Sequence, residues 1–329
     1  MPANLTPQYS KAEEAYRKAQ TAQERVDCLE QMLTLIPKHK GTEKLQADLK
    51  TRLKEAREEV QVEKSAPKAA KSYRIPRQGA GTVILIGAPN AGKSRVLQEL
   101  TNAQPEVAPY PFTTREPLPG MMTWEDVHVQ LIDTPPITEH HIEPYLTGFV
   151  RSADAVLLCF DGSSDDAPEQ TAAVIEQLRS RKTQLDVMSG LDEEDLSIVH
   201  VRTLLVVTHA DDPDAATRVE FLRELAPCPF QLLNIELDRP ESVAALRSAV
   251  YDSLDVIRAY TKKPGKPADY VDPYTIPRGG TVEDLATKVH RDLAASLKYA
   301  KIWAPDGTGG QTVGRDYVLS DRDLVELHA

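Results

Sequence analysis

The sequence predicts an α/β protein built on a doubly wound, mostly parallel sheet. Three observations lead there. Between residues 81 and 258, short β-branched and aliphatic runs alternate with segments of helical periodicity. The first such unit, Thr82 to Leu97 (TVILIGAPNAGKSRVL), reads as a buried strand, a glycine-rich turn and a helix in immediate succession. The chain has 329 residues, 41% hydrophobic and 27% charged, which gives room for two or three domains with a sizeable core.

The turn itself, Gly87-Ala88-Pro89-Asn90-Ala91-Gly92-Lys93-Ser94, matches the phosphate-binding pattern G-x-x-x-x-G-K-[ST]. Its glycines let successive backbone N–H groups face a phosphate chain, and the helix that follows points its positive end at the same anion. We assign nucleotide contact to Gly87, Ala88, Pro89, Asn90, Ala91, Gly92, Lys93, Ser94 and Arg95. Lys93 is placed to reach the β- and γ-phosphates, and Ser94 to hold a magnesium ion that bridges them.

Ahead of the sheet, Ser10 to Ile36 carries apolar residues at helical spacing (Ala15, Ala19, Ala22, Val26, Leu29, Leu33). Pro37 stops this helix, and a second is expected from about Thr42, with Leu45, Leu49, Leu53 and Val60 along one side. The short connection makes residues 1–64 an antiparallel helical hairpin. Its tip, Lys38-His39-Lys40, is either a contact for RNA phosphates or a solvated turn. Residues 65–80 read as a flexible basic linker. Residues 1–80 carry 16 Lys+Arg against 11 Asp+Glu and the rest 23 against 39, so a basic arm precedes an acidic body. That asymmetry fits a polyanionic partner for the arm.

Within the sheet region, strands are expected at Gly120–Thr123, Val127–Ile132, Ala155–Phe160, Thr203–Val207 and Phe230–Ile235, and helices near 167–182, 214–225 and 240–260. Cys28, Cys159 and Cys228 are too few and too scattered for a disulfide framework or a metal cluster, and Cys159 reads as a buried small hydrophobe. No apolar run approaches a membrane span, and the first residues lack a signal-peptide core, so no membrane contact and a reducing cytoplasm are expected. Adjacent His140 and His141 diverge in direction and do not make a metal site. Gly279-Gly280-Thr281 reads as a turn into a capped helix, Thr281 with Asp284.

Ligands of such sheets sit at the carboxyl ends of the strands, and three further segments fall there. Ile132-Asp133-Thr134-Pro135-Pro136 ends a strand in an aspartate suited to orienting magnesium through water. Pro109-Tyr110-Pro111-Phe112-Thr113-Thr114 has the position of a mobile switch, whose threonine joins the magnesium; Thr114 is the assigned residue, with Thr113 beside it. Lys93, Thr114 and Asp133 form the catalytic set, and Ser94, Thr114 and Asp133 the magnesium set. In Val207-Thr208-His209-Ala210-Asp211, the Asp211 carboxylate suits both N–H donors on guanine's Watson–Crick edge, with Thr208 and His209 completing the segment.

In this order and spacing, GAPNAGKS, YPFTT, DTPP and THAD resemble the TRAFAC-class GTPases, most of all the Obg/developmentally regulated GTP-binding protein (DRG) branch. The helical passage IPKHKGTEKLQADLK is similar to the N-terminal region of DRG-like proteins. The tail IRAYTKKPGKPADY, TVEDLATKVHRDL, KYAKIWA and GQTVGRDYVLSDRDLVEL is similar to their TGS domain, a ubiquitin-like β-grasp. The resemblance implies a P-loop GTPase domain over 81–258 and a TGS domain over 259–329. It further implies GTP/GDP as ligand, slow hydrolysis, and a ribosome or RNA partner reached through the hairpin tip, the linker and the TGS domain. A protein partner at the TGS domain is a further implication. Asn90 resembles the asparagine of potassium-activated GTPases, or it stabilises the turn.

Several residues depart from the family pattern. Pro136 stands where the third motif has a glycine N–H for the γ-phosphate, and Ile137 follows. The glycine-rich second switch is replaced by Thr138-Glu139-His140-His141-Ile142-Glu143-Pro144, His209 replaces a lysine, and LLNIELDRP lacks the usual base loop. Two alternatives therefore stand beside the slow GTPase: a nucleotide-sensing scaffold with little or no hydrolysis, and an ATP-binding relative with relaxed base specificity.

Overall fold

A computed structural model describes residues 6–19, 21–37, 40–65, 75–101, 116–192, 195–304 and 309–329. Thr113, Thr114, tip residues Lys38 and His39, and linker residues 66–74 lie outside them.

The segment expected as one helix from Ser10 to Ile36 is two, α1 (Pro7–Lys18) and α2 (Ala22–Leu35). The break has a local cause. Ala19 leaves helical geometry at ψ 126°, and Thr21 with Glu24 forms a capping box that starts a new helix. In it Glu24 N donates to Thr21 Oγ1 at 3.1 Å, and Thr21 N donates to Glu24 Oε2 at 3.2 Å. Helix α3 (Glu43–Ser65) then runs back along α2, so that Arg25 meets Glu59 and Glu30 meets Arg57. Tyr9, Leu29, Met32 and Leu49 form the centre of this helical layer.

The central unit runs β1 (Thr82–Gly87), α4 (Lys93–Leu100), β2 (Leu118–Trp124), β3 (Val127–Asp133), α5 (Pro144–Ser152), β4 (Ala155–Asp161), α6 (Ala167–Arg179), β5 (Thr183–Asp186), β6 (Gly190–Leu191), β7 (Val199–Thr208), α7 (Ala215–Leu225), β8 (Gln231–Asn234) and α8 (Pro240–Asp252). Its sheet has the order β2-β3-β1-β4-β7, with β5 along the first half of β7 and β8 along the second. Strand β2 is antiparallel to β3, and the β3, β1, β4, β7 and β8 pairings are parallel. All six residues of β1 are buried. Ile84 and Ile86 pack with residues of α5, α6 and α7 on one face, and Val83 and Leu85 with α4 and α8 on the other. A strand buried on both faces reads as a continuous apolar run because its two side-chain rows each meet a helical layer.

The helix expected near 240–260 ends at Asp252. Asp255 turns the chain at φ 53°, and Val256–Lys262 is a strand, β9. It opens a second sheet with β10 (Asp269–Pro277), α9 (Val282–Val289), α10 (Arg291–Ser296), β11 (Tyr299–Trp303), β12 (Gly309–Val313) and β13 (Asp323–His328). The order is β10-β9-β13-β11-β12, with β13 parallel to β9 and the other pairs antiparallel. Helix α9 starts at the Thr281–Asp284 capping box, as its sequence indicates.

The two sheets are joined at a charged and aromatic seam. Trp124 stacks on Tyr251 with centroids 3.9 Å apart. The Arg258 guanidinium lies over the Trp124 ring and pairs with Glu125, with Asp126 at 3.0 Å and with Asp321 at 2.7 Å. Helix α1 adds a second tie, Lys11 to Asp284 at 2.6 Å. Among the described residues no helix is long and apolar enough to cross a membrane.

Candidate nucleotide site

The loop between β1 and α4 needs backbone shapes that few side chains accept. Gly87 has φ 153° and Gly92, the N-cap of α4, has φ 83°. A Cβ on Gly87 would stand 2.7 Å from the Cys159 carbonyl oxygen, and one on Gly92 would stand 2.9 Å from Thr208 Cγ2. Asn90 adopts φ 61° at the exposed crest, a conformation asparagine tolerates better than most residues. Lys93 is buried at 7% exposure and donates to the Ala88 carbonyl at 2.7 Å and the Gly87 carbonyl at 3.2 Å. Burial pushes its pKa below the usual lysine value, against the pull of the Cys159 thiol and the Asp133 carboxylate.

Ser94, one residue into α4, donates its hydroxyl to Asp133 Oδ2 at 2.6 Å. Asp133 is fully buried at the end of β3, level with Leu85 in the parallel register. A hydroxyl and a carboxylate at this separation beside a phosphate loop are the donors that a hard, oxygen-seeking cation such as magnesium takes. Beneath them the Cys159 thiol is pushed up to about 12 by burial, so it stays protonated and inert.

The stretch after Asp133 is held from below. Thr134 Oγ1 donates to the Leu85 carbonyl at 2.6 Å, and Ile137 N donates to the Gly87 carbonyl at 3.1 Å. Ile137 is fully buried with Ile86, Ile142 and Leu146. Pro136 has no N–H to offer and the next N–H is already bonded.

On the base side, Thr208 donates its hydroxyl to the Phe160 carbonyl at 3.1 Å and lies against Gly92. His209 sits at φ 49°, with Nδ1 3.0 Å from Asp161 Oδ1. Asp211 is exposed. Its neighbour Asp212 accepts from Arg218 Nη1 at 2.7 Å, and the same nitrogen donates to the Gly162 carbonyl at 2.6 Å. Arg95 is turned outward to Asp238.

The structure therefore gathers Lys93, Ser94, Asp133 and Thr208 around one loop with Asn90 exposed on its crest, while Arg95 turns to Asp238, His209 pairs with Asp161 and Asp211 is exposed. Thr113 and Thr114 lie outside the described residues. Sequence reasoning missed Asp161 and Arg218, which support the base-side loop. Asp161 ends a strand of the same sheet, a position that could have flagged it; Arg218, mid-helix, carries no such signal.

Residues 82–208 match a family model described as a 50S ribosome-binding GTPase, and residues 257–329 match the TGS domain. The chain is similar to an uncharacterised GTP-binding protein of Methanocaldococcus jannaschii, 26% identical with 93% of this chain and 92% of that protein covered. It is also similar to developmentally-regulated G-protein 1 of Arabidopsis thaliana, 26% identical with 92% and 90% covered. Among solved structures, the YchF GTPase of Schizosaccharomyces pombe shares the fold at TM-score 0.52 and 13% identity, covering 78% of this chain and 99% of that one. The chain carries a GTPase domain followed by a TGS domain and is alike to GTP-binding proteins over nearly their whole length, an arrangement that fits the TRAFAC-class GTP-binding proteins of the Obg/DRG type.

Proposed function

We propose that this chain binds GTP and GDP with magnesium at the Gly87–Ser94 loop and hydrolyses GTP slowly, as a cytoplasmic switch acting on a ribosomal or RNA partner. The 2.6 Å contact between Ser94 and Asp133 carries this reading, because it brings a metal-binding hydroxyl and a carboxylate together beside a phosphate nest. Lys93 trades the carbonyls of its own loop for phosphate oxygens when nucleotide enters. Ser94 and Asp133 would hold magnesium, which would supply positive charge to the phosphates. Asp211 would read guanine, and Thr114 would be a further oxygen donor to the metal. The hairpin tip, the basic linker and the TGS domain supply the partner contacts, and the TGS domain also suits a protein partner. Titration with fluorescent GTP and ATP analogues, repeated with Asp211→Asn, tests the base assignment: equal affinity of the parent for both bases ends it. Co-sedimentation with ribosomes across a salt series, with and without a GTP analogue, tests the partner.

One observation favours a second reading, a nucleotide-sensing scaffold that scarcely turns over. The Ile137 N–H is bonded to the Gly87 carbonyl and the Ile137 side chain is buried, so positions 136 and 137 offer neither a backbone donor for the γ-phosphate nor a water-orienting side chain. Single-turnover phosphate release in potassium and in sodium separates the two. Rapid release stimulated by potassium supports hydrolysis and a role for Asn90 in holding that ion; absent release in either salt supports the scaffold.

A further inference from the structure

We infer that the cavity between the N-terminal helices and α5 is a second ligand site, for a small anion bearing a phosphate or diphosphate group. The cavity encloses about 330 Å³, in the range of small-molecule sites. Arg17 of α1, Arg25 of α2, Arg52 of α3 and Arg151 of α5 all line it, against two carboxylates, Glu55 and Glu59.

The carboxylates do not balance this wall. Glu59 is engaged by Arg25 at 2.6 Å. Arg52 reaches Asp195 at 3.7 Å, but that carboxylate already accepts from Ser197 N at 2.8 Å and Ser197 Oγ at 2.5 Å and pairs with Lys182 at 3.4 Å. The two deeper arginines bond to neutral groups. Arg17 Nη1 donates to the carbonyls of Ala153 at 2.5 Å and Arg151 at 3.1 Å. Arg151 donates to Thr183 Oγ1 at 3.0 Å and to the carbonyls of Lys182 at 2.8 Å and Ser197 at 2.6 Å. Arg17 also feels Asp154, Glu14 and Glu13, but Lys18 and Arg77 share Asp154, Lys18 pairs with Glu14 at 2.5 Å, and Glu13 accepts from Leu191 N at 3.0 Å. Neutral acceptors hold a guanidinium plane in place without cancelling its charge, which is how a preorganised anion site is built.

Burial, helped by the nearby Arg52 and Arg25 and opposed by the Tyr16 hydroxyl, pushes the Arg151 pKa below the usual arginine value. A diphosphate supplies enough charge and enough oxygens to engage several guanidinium forks at once, which a single carboxylate does not. Such a ligand would tie α1, α2 and α3 to α5, the helix entered directly from residues 134–143. The inference stands independently of the Gly87–Ser94 loop.

Its test is calorimetric titration of inorganic pyrophosphate at constant ionic strength into the full chain carrying Lys93→Ala, so that the phosphate loop does not contribute. Arg25→Gln and Arg52→Gln are added singly, because neither side chain caps a backbone carbonyl among the bonds described. The expected result is saturable one-to-one binding, weakened about tenfold or more by either substitution. Glu55→Gln, which removes a carboxylate from the wall, is expected to tighten it. Unchanged affinity in both arginine variants, or no saturable binding up to about 10 mM, overturns the inference.

Discussion

Ser94 Oγ lies 2.6 Å from Asp133 Oδ2, joining the first turn of α4 to the last residue of β3. Two residues 39 apart in sequence thus meet where β1 ends. If the pair holds magnesium, either partner's loss weakens nucleotide through the metal. Ser94→Ala and Asp133→Asn are each expected to cut magnesium-dependent GDP affinity by about 10- to 100-fold while leaving the magnesium-free affinity nearly unchanged. Titrations with magnesium and with a chelator check this.

The buried Arg258 binds the two sheets by facing Glu125, Asp126 and Asp321 at once. Arg258→Gln strands three carboxylates and is expected to cost about 3 kcal/mol in urea unfolding. Arg322→Gln, removing a half-exposed pair with Glu125, is expected to cost under about 1 kcal/mol.

Asp154 anchors α1 to the central sheet. Burial alone would raise its carboxyl, but Lys18 and Arg77 outweigh burial, together with the bond from Thr82 N, and hold it below the usual carboxylate range. A carboxyl depressed in the folded state stabilises fully above its unfolded value, near pH 4, and that contribution is lost as pH falls through the folded value. Protection of the α1 amides against hydrogen exchange, relative to their intrinsic rates at each pH, is therefore expected to fall below about pH 4, and Asp154→Asn to remove most of that pH dependence while lowering protection at neutral pH.

The glycine of the family's third motif can be restored. Pro136→Gly returns an N–H at the γ-phosphate side and is expected to raise the GTP-over-GDP preference by about tenfold, the worth of one charge-assisted hydrogen bond. Equal preference in parent and variant would mean that this position does not face the γ-phosphate.

Much of this was legible in the sequence because the physics was local. The β1 run, the Gly87 and Gly92 positions and the Thr281 cap declare themselves within a few residues. The Ala19 break is hidden in the sequence because apolar periodicity runs straight through it, and only the folded Thr21–Glu24 capping box shows the restart. The end of α8 was misjudged because Val256–Lys262 reads equally well as helix until its pairing with β10 and β13 decides otherwise. The Ser94–Asp133 pairing was approached through motif order, whereas the Ile137 bond to Gly87, the Asp161 support of His209 and the Arg258 seam depend on long-range contacts that no spacing encodes.

The most direct test of the central claim is equilibrium titration of the chain with a fluorescent GDP analogue and magnesium, beside the Lys93→Ala variant. Saturable micromolar or tighter binding by the parent, weakened at least about 100-fold in the variant, is the result expected when a buried lysine carries the phosphates. Parent and variant binding with equal affinity, or no binding by the parent, would contradict it.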